Sequence, residues 1–207
     1  MKLRERIILN AFEKFGKYGI RRVTMDQIAH ESGISKRTLY ETFRDKHELI
    51  RDGIKYHSVI KHAEANETIR TSRNVIEAIY ILVKSGEEMK QKLNPLFFED
   101  IRKYYPEVHA NISSQAKSRD YSLIRTLIKK GIDDGLFDED LNVELVNHFF
   151  HEVMNILMNE EHFPKEQYSH EEILRNIVMP YLSGISTKKG NEQIRKYFEK
   201  EIKHKTT

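Results

Sequence analysis

The stretch from Thr24 to Asp45, TMDQIAHESGISKRTLYETFRD, decides the fold that we expect for this chain. Thr24 can cap a helix, and Gln27, three positions later, can reach back to it in a capping box. Gly33 stands where the chain must reverse, because glycine tolerates the left-handed backbone of a tight turn. The stretch therefore predicts two short helices joined by a turn, the pattern of a helix-turn-helix.

The second helix of this pair is predicted to have one buried face and one polar face. Ser35 is a good cap for it, and Leu39 and Phe43, four positions apart, form an inward stripe. The opposite face then carries guanidinium, hydroxyl and methyl groups, which are the groups that read base edges and phosphates in a major groove.

The helix that follows is predicted to begin with a capping box of Asp45 and Glu48. Lys46 lies in its first turn, where a backbone phosphate can bind. The DNA-contacting residues predicted from both helices are Thr24, Ser35, Lys36, Arg37, Thr38, Tyr40, Thr42 and Lys46.

A wider pattern of apolar, glycine and capping residues surrounds these two helices. Its members, in order, are Ile8, Ala11, Phe15, Gly19, Thr24, Ile28, Ala29, Gly33, Ile34, Ser35, Thr38, Leu39, Tyr40, Phe43, Lys46 and Leu49. In this order and spacing, residues from about 5 to 52 resemble the tetracycline-repressor (TetR) family of transcriptional regulators. Ser32 departs from a small alanine that is common in the family, and Arg37 departs from a glycine or another small residue. The second departure is expected to alter base preference, because it adds donors to the exposed face.

The resemblance implies an all-α protein with two domains. Residues 1–48 are expected to form a three-helix helix-turn-helix DNA-binding domain, and residues 49–207 a helical domain for ligand binding and dimerisation. The charge agrees with this division. Residues 1–62 hold 14 basic and 8 acidic residues, a net charge of +6, whereas the remainder carries −3. Positive potential is therefore expected on the DNA-binding part.

Helical periodicity continues after residue 49. We expect a polar break at Asn66–Ser72, a helix stop at Gly135, a capping box of Ser169 with Glu172, and a kink at Pro180. The tail, residues 191–205, has the spacing of one more amphipathic helix.

The segment Val143–Met158 is apolar over an unusually wide arc, more than one neighbouring helix can cover. Such a face favours burial against a second copy of the chain, and in the family that the chain resembles the last two helices form a four-helix dimer interface. The alternative is that this helix and the later one, which begins at the Ser169 capping box, complete an intramolecular core, and it stays open. The residues predicted at the interface are Phe149, Phe150, Val153, Met154, Ile177 and Tyr181.

Aromatic side chains with a few polar groups in the second part of the chain are typical of a small-molecule pocket between helices, although such residues also build ordinary cores. The residues predicted to line a pocket are His57, Tyr80, Phe97, Tyr104 and Tyr121.

Enzymatic and metal-dependent functions are not expected. His148 and His151 are three residues apart with Glu152 beside them, whereas zinc hydrolases need two imidazoles four apart with the carboxylate between them. The chain has neither a nucleophile elbow nor a glycine-rich phosphate loop. We therefore predict no catalytic residues, no metal and no cofactor.

The location expected for the protein is the cytoplasm. The chain lacks cysteine, which fits a reducing compartment. Its longest apolar run, Ala78–Val83, is far below the ~20 residues that span a bilayer, so no membrane partner is predicted. The N-terminal residues have charges spaced through them and are interpreted as a mature helix, not a signal peptide.

Together these observations predict a sequence-specific transcriptional regulator that acts as a homodimer. We expect a repressor that a small-molecule effector releases from a palindromic operator in double-stranded DNA. One alternative is a helical adaptor or enzyme that retains the helix-turn-helix for packing only. Another is a nonspecific nucleoid-type binder, which should be far more basic than the net charge of +3.

Overall fold

The structure, a computed structural model, describes residues 1–110, 121–158, 162–164 and 166–199. Within these ranges it is helical and contains no β-strand, which confirms the predicted all-α fold class. A single isolated antiparallel bridge joins Phe137 to Ser186.

Short connections join the helices of residues 3–104. Two π-helical turns occur near the C-terminal end of the described residues. Leu174–Val178 lies between two α-helices, and Arg195–Glu199 continues the final α-helix. Residues 106–110 are also helical. The α-helices are α1 (Leu3–Tyr18), α2 (Met25–Glu31), α3 (Lys36–Thr42), α4 (Lys46–Thr71), α5 (Val75–Lys92), α6 (Pro95–Tyr104), α7 (Tyr121–Asp133), α8 (Val143–Met158), α9 (His170–Ile173), α10 (Met179–Gly184) and α11 (Lys188–Ile194).

The chain forms two compact units. The first comprises the described residues of 1–64 and 88–117, and the second those of 65–87 and 118–207. The functional boundary predicted after residue 48 stays a prediction. The compact units divide the chain elsewhere because Phe97 and Ile101 of α6 belong to the same apolar cluster as Phe15 of α1.

The core of the first unit gathers side chains from α1, α2, α3, α4 and α6. Leu39 and Phe43, the two residues predicted to anchor α3, are completely buried. Their burial fixes which face of α3 points outward, as the sequence predicts.

Short-range hydrogen bonds cap three helices at the N-terminal residues that the sequence predicts. Thr24 and Gln27 form the predicted capping box at α2, and Ser35 accepts a hydrogen bond from the backbone N–H of Thr38 at 3.0 Å. Gly33 has a φ of 62°, in the left-handed region that the turn requires. Ser169 and Glu172 form the predicted capping box at α9.

The start of α4 differs in one detail from the predicted capping box. Asp45 caps the helix, because its Oδ1 accepts from the backbone N–H of Glu48 at 2.8 Å. The Glu48 carboxylate reaches the N–H of Arg44 instead, also at 2.8 Å. The cap is therefore formed, with its second hydrogen bond shifted by one residue.

Two expectations for the later helices are corrected or refined. The polar break predicted at Asn66–Ser72 is wrong, since α4 continues to Thr71 and Ile69 is buried there. Before Pro180, where a kink is predicted, the chain forms the π-helical turn Leu174–Val178. The N–H of Met179 donates to the carbonyl of Leu174, five residues back, and this wider turn adjusts the helix next to a proline that has no N–H.

The second unit has its own apolar core, to which the C-terminal helices contribute. Ile194 and Phe198 are buried in it, so the amphipathic tail helix is confirmed as far as residue 199. The remainder of the predicted tail lies outside the described residues.

Replacing Phe43 by alanine is expected to lower the free energy of unfolding by about 3–5 kcal/mol, because removal of a completely buried ring leaves a cavity. Denaturant unfolding followed by circular dichroism measures the difference. Phe98→Ala is the matched control: its ring is 48% exposed, so its loss should cost below about 1 kcal/mol. Equal losses for the two variants would mean that Phe43 does not anchor α3.

Candidate DNA-binding surface

Helices α2 and α3 are held together by the turn around Gly33. The N–H of Gly33 donates to the carbonyl of His30, and the N–H of Ile34 to that of Ala29, both at 3.0 Å. With Leu39 and Phe43 buried behind it, α3 presents its other side away from the core. This is the arrangement in which the second helix of the pair can enter a major groove.

The predicted DNA-contacting residues fall into two groups by exposure. Thr38, Thr42 and Lys46 are half-buried. The exposed members are Thr24, Ser35, Lys36, Arg37 and Tyr40.

The hydroxyl groups of this surface take part in local hydrogen bonds. The Oγ atom of Ser35 and the Oγ1 atom of Thr38 are 2.8 Å apart, and Thr42 Oγ1 donates to the carbonyl of Thr38 at 2.8 Å. Thr24 caps α2. These hydroxyls therefore help to define the ends and the packing of the two helices.

Both cations of α3 pair with carboxylates. Arg37 Nε lies 2.8 Å from Glu41 Oε1 within the helix. Lys36 Nζ lies 2.9 Å from the Asp26 carboxylate of α2, and this hydrogen bond raises the pKa of Lys36. Exposed pairs of this kind contribute little to stability, so DNA can compete for either cation.

The side chain of Lys46 does not have the orientation that the sequence predicts. Its ammonium donates to the carbonyl of Ile20 at 2.6 Å and to the carbonyl of Val23, and it lies 5.5 Å from the centre of the Phe15 ring. Burial lowers its pKa, and the Asp100 carboxylate opposes that shift. An ammonium has three donors, so two of them hold the loop between α1 and α2 instead of facing a phosphate.

Arg4 of α1 is a positioning residue that the sequence analysis missed. Its guanidinium donates to the carbonyl of Thr42 at 2.6 Å and lies 4.2 Å above the centre of the Phe43 ring. It also pairs with Glu48, at 3.0 Å, and with Asp52 of α4. Arg4 thus ties the end of α3 to α4, and no local pattern in α1 distinguishes it from the other basic residues there.

Helix α6 holds the loop between α1 and α2 from another side. The backbone N–H of Arg21 donates to Asp100 Oδ2 at 2.8 Å. The guanidinium of Arg21 donates to the hydroxyl of Tyr104 at 2.8 Å and lies 4.3 Å from the centre of that ring. Tyr104, predicted to line a ligand pocket, instead stacks on Arg21 and is exposed.

The other predicted pocket residues also have separate surroundings. Phe97 is buried in the core of the first unit, and His57 lies against Phe12 with ring centres 4.8 Å apart. Tyr80 belongs to the second unit, where its ring centre is 5.2 Å from that of Phe198. The side chain of Tyr121 lies outside the described part of the structure. The predicted set therefore does not appear as the lining of one cavity.

A small cavity does lie within the second unit. Its volume is about 20 Å³, roughly enough for one water molecule, and its lining is apolar or aromatic. Among the predicted pocket residues whose side chains the structure describes, none lines it. The side chains around it include Ile79, Leu127, Phe137, Phe150, Tyr181 and Leu182.

The predicted interface residues cluster on α8 and the helical segment around α10. Tyr181 is half-buried, with its ring centre 5.1 Å from that of Phe149 and 6.3 Å from that of Phe150. Val153, Met154 and Ile177 are half-buried against the core of the second unit, and Phe149 is exposed.

Leu145 and Ile156 extend the exposed apolar surface of α8 on both sides of Phe149. We call Leu145, Phe149 and Ile156 the α8 stripe. The candidate set from the sequence omitted Leu145 and Ile156, although both belong to the wide apolar arc that predicted the interface.

Two further features of the described residues bear on function. They contain no group of three His, Asp or Glu side chains placed to hold a metal ion. In the same part of the chain, no helix combines the length and the apolar composition needed to cross a bilayer.

A short helix anchored from behind by two buried apolar residues, with its polar side outward and a glycine turn before it, defines a helix-turn-helix protein. Residues 7–52 match the family model described as "Bacterial regulatory proteins, tetR family". The match covers α2 and α3 in full.

Relatives and solved structures extend the similarity over most of the chain. An uncharacterized HTH-type transcriptional regulator of Bacillus subtilis, YvaF, is 23% identical over 88% of this chain and 95% of its own length. A transcriptional regulator from Cytophaga hutchinsonii has the same fold, with a TM-score of 0.73, 21% identity, and coverage of 88% of this chain and 98% of its own. For a TetR-family regulator from Marinobacter aquaeolei the TM-score is 0.68 at 20% identity, with 97% and 98% covered.

These comparisons support a regulator of the TetR family for this chain. It is accordingly a DNA-binding regulator and not an enzyme.

Acid is expected to destabilise the first unit through the carboxylates that open α4. The N–H of Glu48 lowers the pKa of Asp45, and the N–H of Arg44, followed by the Arg4 guanidinium, lowers the pKa of Glu48. Because both groups ionise more readily in the folded chain, their stabilisation is complete above the ordinary pKa of 4.5 for a glutamate. It is lost as the pH falls through their lowered folded values.

Thermal melts of the wild type and Glu48→Gln between pH 7 and pH 3 test this dependence. The variant should lose less stability than the wild type over the acid part of this range. Glu139→Gln, at an exposed position, controls for the loss of one carboxyl. Parallel pH profiles for the wild type and Glu48→Gln would contradict the assignment.

Proposed function

We propose that the protein is a sequence-specific transcriptional repressor that binds a pseudo-palindromic operator as a homodimer and leaves it when a small molecule binds the second unit. The observation that carries this proposal is the orientation of α3, whose anchors Leu39 and Phe43 are completely buried while Arg37 and Tyr40 are exposed. The proposed location is the cytoplasm, where the chain would meet its DNA.

The chemistry of α3 supports reading of base edges. A guanidinium such as that of Arg37 can donate two hydrogen bonds to O6 and N7 of a guanine, and threonine methyl groups can contact the methyl group of thymine. Thr38 and Thr42 are half-buried, so part of each side chain is accessible on the same helix. Phosphate contacts would add affinity without sequence preference.

The α8 stripe supports a homodimer. Leu145, Phe149 and Ile156 expose large apolar side chains along one helix, and exposed apolar patches mark surfaces that bind partners. A two-fold dimer would bring two copies of α3 to one duplex, with half-sites about one helical turn or a multiple apart. The palindromic operator follows from that symmetry.

The cavity in the second unit supports an apolar effector. At about 20 Å³ it must enlarge before it can hold a molecule bigger than water, and its wholly apolar lining would favour hydrocarbon or aromatic groups. Tyr181 lines this cavity and also lies against Phe149 of the α8 stripe. A ligand that displaces Tyr181 would therefore disturb the proposed interface and change the separation of the two reading helices.

Selection of bound fragments from random or genomic DNA, at a stated salt concentration, tests the proposal. We expect an inverted repeat, because two symmetry-related helices read it. Arg37→Ala should relax the preference at one base position by about 1–3 kcal/mol. Recovery of fragments without any shared sequence would contradict a sequence-specific regulator.

The selected operator then serves to test ligand control in the same binding assay. An effector must bind the free form of the dimer better than the DNA-bound form, since equal affinity shifts nothing. A compound that stabilises the protein in a thermal-shift screen should therefore weaken operator binding. Compounds that bind and leave operator affinity unchanged would argue against release by ligand.

Phe149→Glu is expected to break the dimer, because it places a charge at the centre of the α8 stripe. Loss of an aromatic anchor at an interface costs about 2 kcal/mol or more, so the dissociation constant should rise at least about 30-fold. Sedimentation equilibrium of the full chain measures it. Val59→Glu is the control, because Val59 is an equally exposed apolar residue on α4 and lies outside the stripe.

A wild-type chain that is monomeric at micromolar concentrations would contradict the proposed dimer. A Phe149→Glu variant that remains dimeric would show instead that the α8 stripe is not the interface.

A further inference from the structure

A carboxylate lies on the outward face of α3, the helix that we propose reads DNA. Glu41 Oε1 accepts a hydrogen bond from Arg37 Nε at 2.8 Å, and the two side chains are 60% and 88% exposed. Both are on the side of the helix away from the buried anchors. A negative charge at this place needs a physical reason, because DNA brings a dense row of phosphates to any surface that binds it.

The stability of α3 does not explain the presence of the Glu41 carboxylate. Arg37 precedes Glu41 by four residues, so the cation is nearer the N-terminus of α3 and the anion nearer its C-terminus. The helix dipole favours the opposite order. An exposed pair in the less favourable order adds little to the stability of a seven-residue helix.

The pair also changes the charge that α3 offers to DNA. Lys36, the other cation of the helix, pairs with Asp26 at 2.9 Å. The four groups Lys36, Asp26, Arg37 and Glu41 together carry no net charge. The two cations of α3 therefore add no net charge to the surface that would attract phosphates.

We propose that Glu41 is a specificity-determining residue that weakens binding to non-operator DNA. This role rests on the proposed function of α3. A carboxylate only accepts hydrogen bonds, and in the major groove its partners are the amino groups of cytosine N4 and adenine N6.

The role of the pair differs between the two kinds of site. At an operator that presents such an amino group, Glu41 binds the base and releases Arg37 to contact a neighbouring guanine. At other sites Glu41 keeps Arg37 paired, so the guanidinium is less available to DNA and the carboxylate lies close to the phosphates without a base to bind. Non-operator complexes are therefore weaker than they would be without the carboxylate.

Glu41→Gln tests this role, because glutamine keeps the size of the side chain and removes its charge. We expect the variant to bind a scrambled duplex about 5–10-fold more tightly than the wild type at ~0.1 M salt, which is the effect of one charge next to the phosphates. Affinity for the selected operator should change by no more than about twofold, so the ratio of the two affinities falls. Fluorescence anisotropy of the full chain with both duplexes measures these constants.

Two further variants separate the charge of Glu41 from other effects. Glu67→Gln is the matched control: Glu67 pairs with Arg70 on α4 at 2.6 Å, its side chain is 57% exposed, and the substitution changes the net charge equally. It should leave both affinities unchanged. Glu41→Asp keeps the charge, and its affinity for the scrambled duplex should stay within about twofold of the wild type.

The outcomes distinguish this role from the proposed function. If the wild type selects an operator but Glu41→Gln and Glu67→Gln bind the scrambled duplex alike, Glu41 does not discriminate and only this inference is wrong. If the wild type selects no sequence at all, the proposed function fails and the role of Glu41 fails with it.

Discussion

The burial of Leu39 and Phe43 behind α3 is the constraint on which the rest of the DNA-binding unit depends. An isolated helix of seven residues is not stable in water, so α3 exists because its apolar side packs on the core. The same packing decides which side chains face outward. Fold and proposed function are thus linked by one contact surface, because a change that loosens the anchors would also reorient or unfold the polar face that we propose binds DNA.

Some cations in this unit bind backbone carbonyls and others face outward, and the net charge does not distinguish the two groups. Arg4 and Lys46 turn toward backbone carbonyls of the chain, where they hold the end of α3 and the loop between α1 and α2. Lys36 and Arg37 face outward but pair with carboxylates. The net charge of +6 in residues 1–62 therefore overstates the positive surface that a duplex would meet. Part of that charge stabilises the fold through hydrogen bonds to backbone carbonyls.

The sequence predicted the features that arise between residues close together in the chain. The caps at Thr24 and Ser35, the turn at Gly33 and the anchors of α3 all depend on partners within a few residues, so spacing alone reveals them. The orientation of Lys46 depends on carbonyls more than 20 residues earlier, so the local spacing of residues does not predict it. The predicted pocket residues stay a prediction for a related reason, because aromatic residues suit a core, a surface stack on an arginine and a ligand site equally well. Only the tertiary packing separates Phe97 from Tyr104.

Tyr181 shows how ligand control could be built from packing alone. Its ring lines the water-sized cavity on one side and contacts Phe149 of the α8 stripe on the other, and its hydroxyl reaches the carbonyl of Val146 at 3.5 Å. A tightly packed core changes by discrete rearrangement and not by gradual compression, so a ligand that enlarges the cavity must move some of its lining side chains, of which Tyr181 is the one that also contacts the α8 stripe. Coupling of this kind is reciprocal. If the ligand lowers the affinity for the operator by some factor, the operator lowers the affinity for the ligand by the same factor. A cavity of this small volume in the free chain also lowers the affinity of any ligand that has to open it.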